Sequence, residues 1–180
     1  IQTRLVSAAA PIPDSAGPSE EKLDAPMPEG STIDFNGFLA LSVRFNPATY
    51  YQDYARVSGL YDGDYNEFRL NGQQDEALTS LLAFTQQQDI PVVFVNTPLT
   101  DEYLDDYRQQ AEVDFRKYML QQSTAQAGFI FRDLGELWPQ RYDYFSDPSH
   151  LNRYGAYQVS NQLAQDPMIA WPKPEVSEAP

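Results

Sequence analysis

No cysteine occurs among the 180 residues, and there is only one histidine, His150. Without thiols there is no disulfide, no thiolate metal centre and no cysteine nucleophile. A lone imidazole without thiol partners does not assemble a zinc set, so no metal or other cofactor is expected. Basic residues are also scarce. Lys+Arg of 12 against Asp+Glu of 26 leaves a formal charge of -14 and a pI near 4.2. A phosphate backbone or an anionic membrane surface would be repelled, and no nucleic-acid partner is expected. No apolar run approaches the roughly 18 residues of a membrane span, so no transmembrane segment is expected in this chain. The opening "IQTRLVSAAAP" lacks the apolar core of a signal peptide. Glycine-rich phosphate loops and dinucleotide fingerprints are missing as well. The stretch "DGDYNE", Asp62 to Glu67, starts like a calcium loop, with acids at alternate positions. Glu67 stands where such a loop requires glycine and Gln73 where it requires a bidentate Glu, so the stretch reads as a solvated turn.

What the chain does have is apolar and aromatic content, 42% and 13% respectively, enough for one domain with a core. Composition changes near Thr32. The run "AAAPIPDSAGPSEEKLDAPMPEGS", Ala8 to Ser31, is rich in Pro, Ala, Ser and acid and has no apolar period, so residues 1–31 read as a disordered linker or insertion. The ending "WPKPEVSEAP" is similar, and residues 172–180 read as a flexible tail. A single α/β domain is therefore expected over 32–171. The chain starts at Ile1 rather than Met, which reads as one part of a longer polypeptide.

Within that domain, "FLALSVRF" alternates Leu39, Leu41, Val43 and Phe45 with Ala40, Ser42 and Arg44, the period of a half-buried strand, and "NPATYY" reads as the turn after it. "QQDEALTSLLAFTQQQ" places Ala77, Leu78, Leu81, Leu82 and Phe84 at helical spacing ahead of the Val-rich strand "IPVVFV". "DEYLDDYRQQAEVDFRKYMLQQSTAQAG" carries Leu104, Tyr107, Ala111, Phe115, Tyr118 and Gln122 three or four apart, with Gly128 as the stop of a long helix. "FIFRDL" reads as another strand and "RYGAYQVSNQLAQ" as the last helix. This alternation predicts a layered α/β domain with a parallel sheet, in which ligands bind beyond the carboxyl ends of the strands.

Asp147 and His150, in "YFSDPSHLNRYGAY", fall in the loop between the last strand and the last helix. A carboxylate beside an imidazole accepts its Nδ1 proton and leaves Nε2 free to take a proton from a serine hydroxyl. The alternative is purely structural. Asp147-Pro148-Ser149 is a good turn sequence, with Asp147 accepting backbone N–H groups and His150 packed or exposed.

"FSDPSHLNRYGAYQVSNQLA" resembles the closing block of the SGNH (GDSL-like) hydrolase superfamily, in which Asp and His stand three apart ahead of the C-terminal helix. "RFNPATYYQDYARVSGLYDGDY", "VVFVNTPLTDEYLDDYR" and "GFIFRDLGELWPQRYDYFSDPSHLNRYGAY" resemble, more narrowly, a bacterial family of SGNH-like proteins of unknown function. They are also distantly similar to the O-acetyltransferases of alginate synthesis and the D-alanyl-lipoteichoic acid proteins. The resemblance implies a three-layer α/β/α fold with a parallel sheet (SGNH/flavodoxin-like), here incomplete at its N-terminus, and Ser-His-Asp chemistry on esters. His150 would be the general base and Asp147 its orienting partner. The superfamily's nucleophilic Ser follows its first strand, and nothing here fits that block. Ser19 in "GPSE" sits in the linker and Ser7 follows only "RLV", so the nucleophile is expected in upstream sequence of the same polypeptide. The superfamily's oxyanion-hole Gly and Asn lack a clear match. Asn96, which ends "VVFVN", is the candidate substrate-binding residue, with Phe94 where the glycine would stand.

Two function classes follow. One is an esterase or O-acyltransferase acting on an acyl ester of a glycan, lipid or small molecule. The other is a non-catalytic SGNH-like module that binds a glycan or protein partner. Stretches such as "TYYQDY" and "LWPQRYDYF" supply aromatic faces suited to sugars, and equally suited to core packing.

Overall fold

The structure is a computed structural model that describes residues 32–33, 38–60, 62–66 and 68–172. Residues 1–31 and 173–180 lie outside it, and with them Ser7, Ser19 and most of both proline-rich segments. The elements are β1 (Thr32–Ile33), β2 (Leu39–Ala40), α1 (Pro47–Asp53), α2 (Asp62–Tyr65), α3 (Gln73–Gln87), β3 (Val92–Asn96), α4 (Asp106–Ala125), β4 (Phe129–Asp133), a 3-10 turn (Tyr142–Tyr144) and α5 (Arg153–Ala164).

The α/β character predicted from the sequence is present. β3 and β4 pair in parallel, Val92 opposite Phe129 through Asn96 opposite Asp133, and α4 is the crossover between them. α4 starts where Asp105 caps the Arg108 N–H and ends just before Gly128, whose φ of 78° lets the chain turn into β4. α3 has Asp75 and Glu76 in its first turn, where the helix dipole favours negative charge.

The helices α3 and α4 pack on the sheet through a core of Leu82, Met119, Phe129 and Phe131, flanked by Leu78, Val92, Phe94, Phe115 and Tyr118. Phe115 meets Phe131 edge-on at 6.2 Å between ring centroids. Each fully buried side chain of this kind contributes about 1.5–3 kcal/mol through loss of apolar surface to water. Leu81 and Phe84, on the expected apolar face of α3, are instead 50% and 59% exposed. Every residue of β3 stays partly exposed, because among the described residues it pairs on one edge only.

Three local expectations differ from the structure. The run Leu39 to Phe45 forms a strand only at Leu39–Ala40, antiparallel to Thr32–Ile33. Beyond it the backbone groups are taken by the loop before α5. Leu41 O accepts from the Arg153 N–H at 2.9 Å, Val43 O from Asn152 Nδ2 at 3.1 Å, and the Phe45 N–H donates to Phe145 O at 2.8 Å. The segment after Asn46 is a helix rather than a turn, since Asn46 Oδ1 accepts from the Ala48 N–H and Pro47 supplies a preset φ at the first helical position. Asp62–Tyr65, read as a turn, likewise closes one helical turn.

Candidate functional site

The loop carrying Asp147 and His150 is clamped at both ends. Phe145 and Leu151 form an antiparallel bridge, the Ser146 N–H donates to His150 O at 2.8 Å, and the Asn152 N–H donates to Tyr144 O at 2.9 Å. Phe145 is fully buried and Asn152 is 1% exposed. The Asn152 amide donates to Val43 O, Asp143 O and Phe145 O at 2.9–3.1 Å, while its Oδ1 accepts from the Tyr154 and Gly155 N–H groups and caps α5. Gly155 is required for this packing, because a Cβ there would lie 2.2 Å from Tyr144 O. The loop is tied to the carboxyl end of β3 as well. The buried Thr100 donates to Pro148 O through Oγ1 at 2.6 Å and through its N–H at 3.3 Å.

On this frame the Asp147 carboxylate faces His150. Oδ1 accepts from the Ser149 N–H at 2.8 Å and the His150 N–H at 2.9 Å, an Asx-type turn across Pro148. His150 Nδ1 lies 2.9 Å from Oδ1 and 2.8 Å from Oδ2. The Ser149 hydroxyl lies 3.3 Å from Oδ1 and 3.2 Å from Nδ1. Burial of Asp147 pushes its pKa up, but the His150 side chain and the backbone donors of Ser149 and His150 outweigh it and hold the carboxyl below 3.8. The hydrogen bond to Asp147 raises the His150 pKa above 6.5, against partial desolvation.

An ionised carboxylate only accepts, so the proton of the neutral imidazole resides on Nδ1 and the lone pair on Nε2. The His150 side chain is 74% exposed, against 29% for Asp147, and Nε2 has no hydrogen-bond partner among the described residues. Ser149 meets the imidazole on its Nδ1 side, so it is not placed for activation by Nε2. The arrangement has a fixed orienter and a base whose working nitrogen faces outward.

α1 lies next to the loop. The Tyr50 hydroxyl is pushed above 10.0 first by burial and then by the negative charge of Asp147, and the Tyr50 ring stacks on Tyr54 at 4.5 Å. Asn96 is at the carboxyl end of β3, but its hydrogen bonds run elsewhere. Its Nδ2 donates to Glu112 Oε2 and Asp133 Oδ1, each at 3.0 Å, within a cluster that includes Arg116 and Glu136. The structure thus brings Asp147 and His150 together and places Asn96 in a separate network.

Among the described residues there is no group of three or more His, Cys, Asp or Glu side chains able to hold a metal, and no helix long and apolar enough to cross a membrane. Sequence reasoning missed Asn152 and Thr100. Asn152 carried a usable signal, an Asn just before the helical run "RYGAYQV", whereas nothing local to Thr100 points to Pro148, 48 residues away. Comparison with protein-family models, curated proteins and solved structures returns no match for this chain.

Proposed function

We propose that Asp147 and His150 are the orienter and general base of a serine-dependent esterase or O-acyltransferase, whose nucleophilic serine lies outside the described residues. One observation carries this reading: His150 Nδ1 is held by both carboxylate oxygens of Asp147, at 2.9 and 2.8 Å, while Nε2 stays open on an exposed side chain. A turn alone needs only Oδ1 and the backbone N–H groups. The second oxygen and the imidazole contact are what base catalysis adds.

In the proposed reaction Nε2 removes the proton of the serine hydroxyl as that oxygen attacks the acyl carbon of an ester. It then returns the proton to the leaving alkoxide. Water or an acceptor hydroxyl, deprotonated in turn by Nε2, attacks the acyl-serine carbonyl and takes the acyl group, and the imidazolium returns its proton to the departing serine oxygen. Asp147 stays ionised throughout and stabilises the imidazolium. The finer fold reading, a three-layer α/β/α domain with further strands of a parallel sheet, belongs to this proposal. The resemblance of the Phe145 to Ala164 block to SGNH hydrolases supports it. For Asn96 to contact a substrate, its amide has to leave Glu112 or Asp133.

The alternative is a non-catalytic binding module. It is favoured by Asp147 Oδ1 accepting two backbone N–H bonds, which suffices to fix the loop. Turnover of p-nitrophenyl acetate and of an acetylated oligosaccharide by the full-length protein separates the two. We expect His150→Gln to abolish turnover with little change in Tm. Unaltered turnover in that variant, or none in well-folded wild type, rejects the catalytic reading.

A further inference from the structure

A second, differently built concavity lies along the flank of α5. It is a groove of about 810 Å³, whose wall includes Phe38, Arg44, Arg153, Tyr154, Tyr157 and Gln158, and neither Asp147 nor His150 lines it. That volume is of the size that holds small organic ligands.

Its charge runs against that of the chain. The protein carries -14 overall with 12 basic residues, yet two arginines line this one groove. Arg44 lies over the Tyr154 ring at 4.8 Å, one face of that ring thereby covered by a guanidinium. Arg153 opens α5 and forms no ion pair with a described residue. The one carboxylate on the wall, Asp143, is held in a two-point pair by Arg141, with both contacts at 3.1 Å, and also feels the charge of Arg44, so three guanidinium groups surround or share a wall with one carboxylate. The groove is therefore locally cationic. Tyr157, one turn along α5 from Tyr154, is 64% exposed and offers an open flat face.

The geometry points to a binding site for a small acidic saccharide, its anionic group between the Arg44 and Arg153 guanidinium groups and its ring against Tyr157. Three considerations select this class. Paired guanidinium groups match a carboxylate or a similar planar anion. An exposed tyrosine face suits the apolar side of a pyranose, and Gln158 and Ser160 on the same wall can bond its hydroxyls. A long polyanion is disfavoured because the rest of the surface is acidic, whereas a ligand of one or two charges feels mainly its neighbours at a Debye length of about 8 Å in physiological salt.

The test is an amide-shift titration of the ¹⁵N-labelled full chain at physiological ionic strength with digalacturonic acid, in parallel with neutral galactobiose, benzoate and inorganic phosphate. We expect saturable shifts at Arg44, Arg153 and Tyr154 to Gln158 with the acidic disaccharide, and binding weaker by about tenfold or more with the neutral one. Arg153→Gln and, separately, Arg44→Gln should each weaken the acidic disaccharide by about tenfold, and Tyr157→Ala by about threefold, with the remaining spectrum unmoved. Equal binding of galactobiose overturns the ionic part of the assignment. Equal binding of benzoate or phosphate overturns the saccharide part. Shifts absent, or unaffected by all three substitutions, overturn the site. Esterase activity plays no part in these readouts, so the groove and the dyad stand or fall separately.

Discussion

Asn152→Ala tests how the site loop is held. The two N–H groups of the Asn152 amide are shared among the carbonyls of Val43, Asp143 and Phe145, and its Oδ1 accepts two hydrogen bonds at the start of α5. Removing the cap costs about 1 kcal/mol. Phe145 O keeps the Phe45 N–H at 2.8 Å, but Val43 O and Asp143 O lose this donor in a site that is 1% exposed at Asn152, at about 1 kcal/mol each. The expected loss is therefore about 3 kcal/mol. For a domain of this size it corresponds to a fall in Tm of roughly 6–12 °C. Asn152→Asp separates the two contributions. It keeps an oxygen for the Tyr154 and Gly155 N–H groups but turns a second oxygen toward three carbonyls, so it should be at least as unstable as the alanine variant. Urea unfolding followed by circular dichroism measures both. A loss below about 1 kcal/mol for Asn152→Ala, or an Asn152→Asp protein as stable as wild type, would refute the role of the amide as the tie between Val43 and the 143–145 turn.

Other expectations follow from the same geometry. Because His150 is the only histidine, its imidazole gives one titrating signal in a ¹H–¹³C spectrum; the pKa should lie above 6.5 with the neutral form protonated at Nδ1, and Asp147→Asn should lower it toward 6.5. An Nε2–H tautomer in wild type would contradict the assignment. The stabilising effect of the pair depends on pH with a definite sign. The raised His150 pKa gives a contribution that is complete below 6.5 and disappears as pH rises through the folded value, while the lowered Asp147 pKa gives one that is present above 3.8 and disappears as pH falls. The stability difference between wild type and His150→Gln should therefore peak between those values and shrink on either side, as pH-dependent urea unfolding would show. Gly155→Ala should cost about 1–3 kcal/mol or more, since its Cβ would stand 2.2 Å from a backbone oxygen; a Tm within 1–2 °C of wild type would refute that. Thr100→Val should cost about 0.5–1.5 kcal/mol by removing the shorter of the two hydrogen bonds to Pro148 O while its N–H keeps the longer one, and it should broaden the His150 signal as the loop loosens. An unchanged line width would detach Thr100 from site rigidity.

The parts of the fold visible in the sequence were those set by local pattern. α3, β3, α4, β4 and α5 each follow from apolar spacing, for α4 together with the stop at Gly128, and they appear where the pattern places them. The run Leu39 to Phe45 misled because alternation signals only an extended chain with one face covered. Here the covering element is the 143–153 loop, about 100 residues later, and not a neighbouring strand. The proximity of Asp147 and His150 was legible because both lie in one turn. The contacts that hold that turn, Thr100 to Pro148 and Asn152 to Val43, span 48 and 109 residues and leave no local trace. The Arg44 and Arg153 groove was invisible for the same reason, since the two residues line one wall only when α5 packs beside the chain leaving β2.

Whether His150 serves a serine nucleophile is decided by labelling the full-length protein with a fluorophosphonate probe, wild type beside His150→Gln, and mapping the modified residue by mass spectrometry. One labelled serine outside the described residues is expected in wild type and none in the variant. No labelling of the folded wild-type protein, or labelling that persists without His150, would contradict the catalytic reading and leave Asp147-Pro148-Ser149-His150 as a structural turn.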